Sequence, residues 1–343
     1  MWRSTVPKKA QKYVGGSAPP PQSINIPSTN PTSEVTGGEL CPMRFLSFTH
    51  IWIALGAFVT TTFSWLWCLD GFPMERGGMW IAMWVGLSTG LGYTVQRAIK
   101  HTRHPHNMPG LRRAFWDRWK WGMIACWTGA WLAFNVAYVE ELGWEEPGRL
   151  AVVAGVGLAS VAYALMPGMG GGLRKVTWLK IPLIAVVWAT ATTHHPVLGI
   201  DPVLWVQRVM FIAGLTLPFD IRDLDVDRAH MTTLPMVVTA ECVLTWARLL
   251  LGAAAALSFG VWLGRLLGHG LRPIDVGPAV LAAQSFWAWW MLRPAHALPA
   301  LQGPQHEREH YTGWQLDGVL VMPCLVLLAL CLMLLFLAPV LHE

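Results

Sequence analysis

Apolar residues in this chain come in long blocks. Runs of mostly apolar residues fall at roughly 45–69, 78–97, 119–139, 149–166, 177–194, 202–219, 237–263, 277–293 and 314–338, joined by short polar connections. A helix needs about 20 such residues to cross the hydrocarbon core of a bilayer. The hydropathy pattern therefore predicts an all-α, polytopic membrane protein with about nine transmembrane helices. The weakest block, 277–293, is short but rich in Trp. The N-terminal region has another texture. "SAPPPQSINIPSTNPTSEVTGG" is rich in Pro, Ser and Thr and has no apolar period, which predicts a disordered tail over residues 1–43. No apolar run precedes residue 44, so no cleaved signal peptide is expected. One membrane domain, residues 44–343, follows the tail.

Composition agrees with this partition. Of 343 residues, 54% are hydrophobic and only 13% are charged, against about 25% charged in soluble domains. The formal charge of +5 is small and spread over the connections, so nucleic acid is not an expected partner. The six cysteines form no CxxC pair and read as buried single thiols. Charge does fix an orientation. With the N-terminus and the even-numbered connections on one side, that side holds roughly nineteen Lys and Arg against about five on the other, which puts it in the cytoplasm.

The residues that could carry chemistry face this basic side. "LPFDIRDLDVDRAH", residues 217–230, places Asp220, Asp223, Asp225 and Asp227 at the end of the sixth predicted span. On a helix, Asp220, Asp223 and Asp227 share one face and Asp225 points away. That face is expected to line a central cavity open to the basic side. Carboxylates gathered there repel one another, and a divalent cation, nearby Arg or Lys, or proton uptake must offset this. Mg²⁺ suits a few carboxylates together with phosphate oxygens. A solvated acidic loop paired with Arg222 and Arg228 is the plainer alternative.

After the second span, "QRAIKHTRHPHNMPGLRR" carries Gln96, Arg97, Lys100, His101, Arg103, His104 and His106. Such a cluster suits a phosphate-bearing substrate or anionic lipid headgroups. Between the fourth and fifth spans, "MPGMGGGLRKVTWLKIP" breaks the helix with Pro and Gly and then sets Arg174 and Lys175 at a helix start. Backbone N–H groups favour an anion there.

Together these pieces resemble the UbiA superfamily of intramembrane prenyltransferases. The family's second motif, D-x-x-D-x-x-x-D, is similar to Asp220, Asp223 and Asp227, and its following segment to "TTLP" at Thr232–Pro235. "LRKVTWLK" and the "KIPLIAVVWATAT" after it resemble the stretch after the family's fourth span. The first motif departs: Gly92, Tyr93, Gln96 and Lys100 stand where the family has Asn, Asp, Asp and Asp. The resemblance covers about residues 45–338 and implies a UbiA-like prenyltransferase domain over residues 44–343.

It implies a transferase that moves a prenyl group from an isoprenyl diphosphate to an aromatic or lipid acceptor. Asp220, Asp223 and Asp227 would hold Mg²⁺ and serve catalysis, and Arg97, Lys100, Arg174 and Lys175 would hold the diphosphate. Trp188, Trp205, Trp246, Trp287, Trp289 and Trp290 are available to line a dry cavity for an allylic cation. The competing class is a non-catalytic, UbiA-like lipid-binding or assembly protein that has lost diphosphate ionisation.

Overall fold

A computed structural model describes residues 42–68, 78–103, 110–138, 147–165, 177–194, 199–228, 232–269 and 276–323, together with 108, 140 and 325. The predicted tail lies outside the described residues up to 41, and so does the predicted last span beyond 325. The elements are helices: α1 (Pro42–Phe48), α2 (Ile51–Cys68), α3 (Gly78–Arg103), α4 (Gly110–Ala137), α5 (Pro147–Leu165), α6 (Lys180–Thr193), α7 (Pro202–Arg222), α8 (Leu224–Asp227), α9 (Leu234–Val237), α10 (Ala240–His269), α11 (Val276–Met291), α12 (Pro294–Gln302) and α13 (Gln305–His310). A π-helical turn, Tyr311–Leu316, continues from α13.

Each of the first eight predicted spans falls on a helix, but the first is not continuous. It breaks at Thr49 and His50 into α1 and α2. His50 sits in the left-handed region with φ 62°, a conformation that His tolerates better than bulky residues. Its Nδ1 lies 3.0 Å from the Thr94 hydroxyl of α3, in the interior.

By length and composition, Pro202–Arg222 and Ala240–Gly268 are apolar enough to cross a membrane, and Ile51–Trp67, Leu150–Ser160 and Lys180–Thr193 are shorter apolar helices. The expected set of nine spans is thus met only in part. Large apolar side chains also point outward: Trp121 is 74% exposed and Val136 and Leu267 are 78% exposed. Such surface suits lipid better than water.

Helices α2, α6, α7, α10 and α11 pack in sequence around one another, with α3 beside α2, α4 beside α3 and α5 beside α6. Their shared core includes Phe211, Leu215, Leu244, Leu251 and Leu320. α7 and α10 pack tightly at Gly214, where an added Cβ would lie 2.7 Å from Leu251 Cγ and 2.8 Å from the Ala247 carbonyl. Only glycine fits that crossing. Inside the bundle, two α2 hydroxyls bond along their own helix: Thr61 donates to Ala57 O and Ser64 to Thr60 O, both at 2.8 Å. Arg208 is fully buried and donates to the Ser64 hydroxyl at 2.8 Å.

Candidate functional site

The Asp-rich stretch is positioned by α7. That helix starts at Asp201, whose carboxylate accepts from Leu204 N–H at 2.8 Å, with Pro202 next in the first turn; both features favour a helix start. Pro218 sits within the helix one turn before its end and has no N–H to donate. At Asp223 the backbone leaves the helix, with φ −88° and ψ 3°, and α8 follows at once. The Asp223 and Asp227 amides still donate to Phe219 O and Asp223 O, at 3.0 and 2.9 Å. The stretch is therefore a bent helical path.

Along this path every carboxylate meets a protein cation. The Lys180 ammonium, in the first turn of α6, pairs with Asp220 Oδ1 and lies 3.9 Å from Asp227 Oδ2. The Asp220 and Asp227 side chains are 1% and 8% exposed. Arg222 grips Asp223 with two donors, Nε to Oδ1 at 2.7 Å and Nη2 to Oδ2 at 2.9 Å. Asp225 is 67% exposed and accepts from Arg308 at 2.9 Å. Arg222 and Arg308 are tied in turn: Arg222 donates to the Thr312 hydroxyl at 2.9 Å, and Arg308 to the Arg222 carbonyl at 3.1 Å. Burial alone would raise the Asp223 pKa. The Arg222 guanidinium, with its hydrogen bonds and the nearby Lys100 and Lys180, outweighs this and holds the carboxyl well below its usual range.

Further cations come from α3 and α4. Arg97 is partly buried and within electrostatic reach of Arg112, Arg222, Asp223 and Glu309. Lys100, one turn on, is also partly buried and bears on Asp223. Arg112 lies 4.0 Å from Glu309 and 5.1 Å from the Phe48 ring centroid. The structure thus brings Arg97 and Lys100 to the same end of the helices as the Asp-rich stretch. Arg174 and Lys175 lie outside the described residues. Of the histidines, His101 bonds Asp117 at 2.8 Å, while His104 and His106 are outside the described residues. Of the Trp candidates, Trp188, Trp205 and Trp289 are partly buried, and Trp246, Trp287 and Trp290 face outward.

Sequence reading did not single out Lys180, Arg112, Arg308 or Thr312. Lys180 carried one faint signal, a cation at a helix start, where the helix dipole disfavours it unless carboxylates face it.

A Mg²⁺ ion needs near-octahedral oxygen ligands at about 2.0–2.1 Å. Asp220 Oδ2 is buried without a hydrogen-bond partner, an oxygen that a cation could use. But the Lys180 ammonium already faces both Asp220 and Asp227, and Asp223 is turned to Arg222. Among the described residues no three His, Cys, Asp or Glu side chains are grouped to hold a metal ion. As placed, these carboxylates do not fit a Mg²⁺ ion.

No family model matches the chain, and no curated protein matches it. Among solved structures the fold is similar to that of a UbiA homologue from Archaeoglobus fulgidus, bound to GPP and Mg²⁺. The TM-score is 0.52 at 11% sequence identity, covering 83% of this chain and 99% of that one. The likeness is one of fold, and the fold is UbiA-like.

Proposed function

We propose that this chain is a multi-pass membrane protein that binds an isoprenyl diphosphate at its basic, cytoplasmic end and moves the prenyl group to an aromatic or lipid acceptor. The observation that carries this reading is the gathering of Arg97, Lys100, Arg112, Lys180 and Arg222 at one end of a UbiA-like bundle. Guanidinium groups match phosphate oxygens with two donors, and an ammonium contacts them as a point charge. The same cations would stabilise the charge that grows on the diphosphate as its bond to the allylic carbon breaks. Arg174 and Lys175 are assigned to the same diphosphate. The predicted catalytic carboxylates, Asp220, Asp223 and Asp227, act here by orienting Lys180 and Arg222. The expected Mg²⁺ is not used in this reading, because these carboxylates already hold protein cations.

A second reading is favoured by those same pairings and by Gln96 and Lys100 at the first-motif positions. In it the chain holds the diphosphate lipid without ionising it. Incubation of the purified protein with GPP and a membrane-lipid extract separates the two. Release of inorganic diphosphate with a new prenylated lipid by mass spectrometry supports transfer. Saturable GPP binding without release supports the holder, and no GPP binding rejects both.

A further inference from the structure

We propose that Lys180 is the resident cation of the Asp220–Asp227 pair, so that this pair takes no divalent metal while the lysine is present. The geometry supplies the reason. The ammonium carries three donors and no acceptor. It pairs with Asp220 Oδ1 and stands 3.9 Å from Asp227 Oδ2, in reach of both carboxylates. The lysine side chain is only 12% exposed, so it does not swing freely into solvent. A second contact holds its turn in place: the Thr177 hydroxyl donates to the Thr232 carbonyl at 2.5 Å, tying the residues before α6 to those after α8.

The charge balance points the same way. Asp220, Asp223 and Asp227 face Lys180, Arg222 and Lys100. Each of these carboxylates thus already has a protein cation beside it. Such an ion would also sit beside an ammonium of like sign in a site of reduced dielectric, where repulsion is strong. Removing the ammonium alone changes this. Asp220 Oδ2, already without a hydrogen-bond partner, would then stand with Asp220 Oδ1 and Asp227 Oδ2 as carboxylate oxygens that the ammonium no longer faces. A lysine-free site is therefore a latent two-carboxylate metal site. This inference concerns the metal alone and stands whether or not the chain binds a diphosphate.

The test uses the full chain in detergent with Mn²⁺ as probe, free Mn²⁺ being read by electron paramagnetic resonance. The wild type is expected to show no saturable binding. Lys180→Met is expected to bind one Mn²⁺ at least about tenfold more tightly than any wild-type background, the direction set by removing a like charge. Lys180→Met with Asp220→Asn is expected to lose that binding, and Lys180→Arg to resemble the wild type. Saturable wild-type binding that Asp220→Asn abolishes would overturn the proposal, as would a folded Lys180→Met that binds no better than the wild type. If Lys180→Met does not fold, the wild-type and Asp220→Asn titrations decide: Asp220-dependent binding overturns the proposal, and its absence supports it.

Discussion

Arg222 and Asp223 are neighbours in sequence, yet their side chains meet head-on, through bonds of 2.7 and 2.9 Å. Adjacent residues in an unbroken helix point about 100° apart, so this contact depends on the backbone leaving the helix at Asp223. The bend leaves Asp220 and Asp227 to Lys180 and gives Asp223 its own guanidinium.

This pairing makes stability depend on pH. The folded-state pKa of Asp223 lies below its ordinary value, so the unfolded chain takes up the proton more readily. The stabilisation is fully present above the ordinary carboxylate pKa of about 3.9 and is lost as pH falls through the folded value. Asp223→Asn should cost about 1–2 kcal/mol near pH 7, the charged hydrogen-bond range reduced for partial exposure. Thermal melts in detergent from pH 7 downward should show the gap between variant and wild type closing below about pH 4.

Asp220 and Asp225 should differ sharply. Asp225 is 67% exposed and paired at the surface with Arg308, so Asp225→Ala should change stability by less than about 1 kcal/mol. Asp220 is 1% exposed and faces a mostly buried ammonium, so Asp220→Ala should cost about 3 kcal/mol or more, with Lys180 left to Asp227. Melting temperatures of the two variants, purified side by side, check the order. Equal losses would mean that the Lys180 contact contributes little.

Lys100 tests the diphosphate reading. Its ammonium lies near Asp223 and stands at the position of the last first-motif carboxylate of the family it resembles. Lys100→Ala should weaken GPP binding by about 1.5–3 kcal/mol, the range of a charge-assisted hydrogen bond. Arg103, exposed one turn further on, is the control, and Arg103→Ala should leave the affinity unchanged. Calorimetric titration with GPP reads both. An unchanged Lys100→Ala would assign Lys100 to lipid headgroups instead.

Gly214 and Gly92 test the packing. At Gly214 a methyl group would press on a backbone carbonyl of α10 as well as on Leu251, and a carbonyl cannot rotate away. Gly214→Ala should therefore destabilise by about 1–3 kcal/mol, as overpacked cores do. At Gly92 nothing lies within 4 Å of an added Cβ, so Gly92→Ala should be neutral or stabilise by up to about 1 kcal/mol through helix propensity. Thermal unfolding of both variants gives the comparison.

The helices were legible because long apolar runs leave little choice of element, and α3 to α7, α10 and α11 start or end within a few residues of the blocks that predicted them. The break at His50 was not, since it lies inside an apolar block and carries neither Gly nor Pro. At the site, the spacing predicted one face for Asp220, Asp223 and Asp227, but the chain leaves the helix at Asp223, so that Asp220 and Asp227 meet Lys180 while Asp223 meets Arg222; the need for a neutralising partner came from repulsion. Which partner supplies it could not be read. Lys180 lies 40 residues before Asp220, and only the packing of α6 on α7 brings them together. Arg308 and Thr312, more than 80 residues after Arg222, were hidden for the same reason. Arg222 and Asp223 were visible as neighbours, but not as a contact, because a regular helix would have kept them apart.

The π-helical turn at Tyr311–Leu316 acts as a phase shifter. A π turn holds about one residue more than an α turn, so the residues beyond it are rotated by roughly 100° from the course of an unbroken α-helix. At its start, Tyr311 donates to the Met291 carbonyl at 2.9 Å and Thr312 receives Arg222. After it, Val319 and Leu320 enter the core. One continuous segment thereby serves two surfaces whose angular positions a plain α-helix could not match at once. With one residue fewer, the segment could keep its hydroxyl on the charged end or its apolar side chains in the interior, but not both.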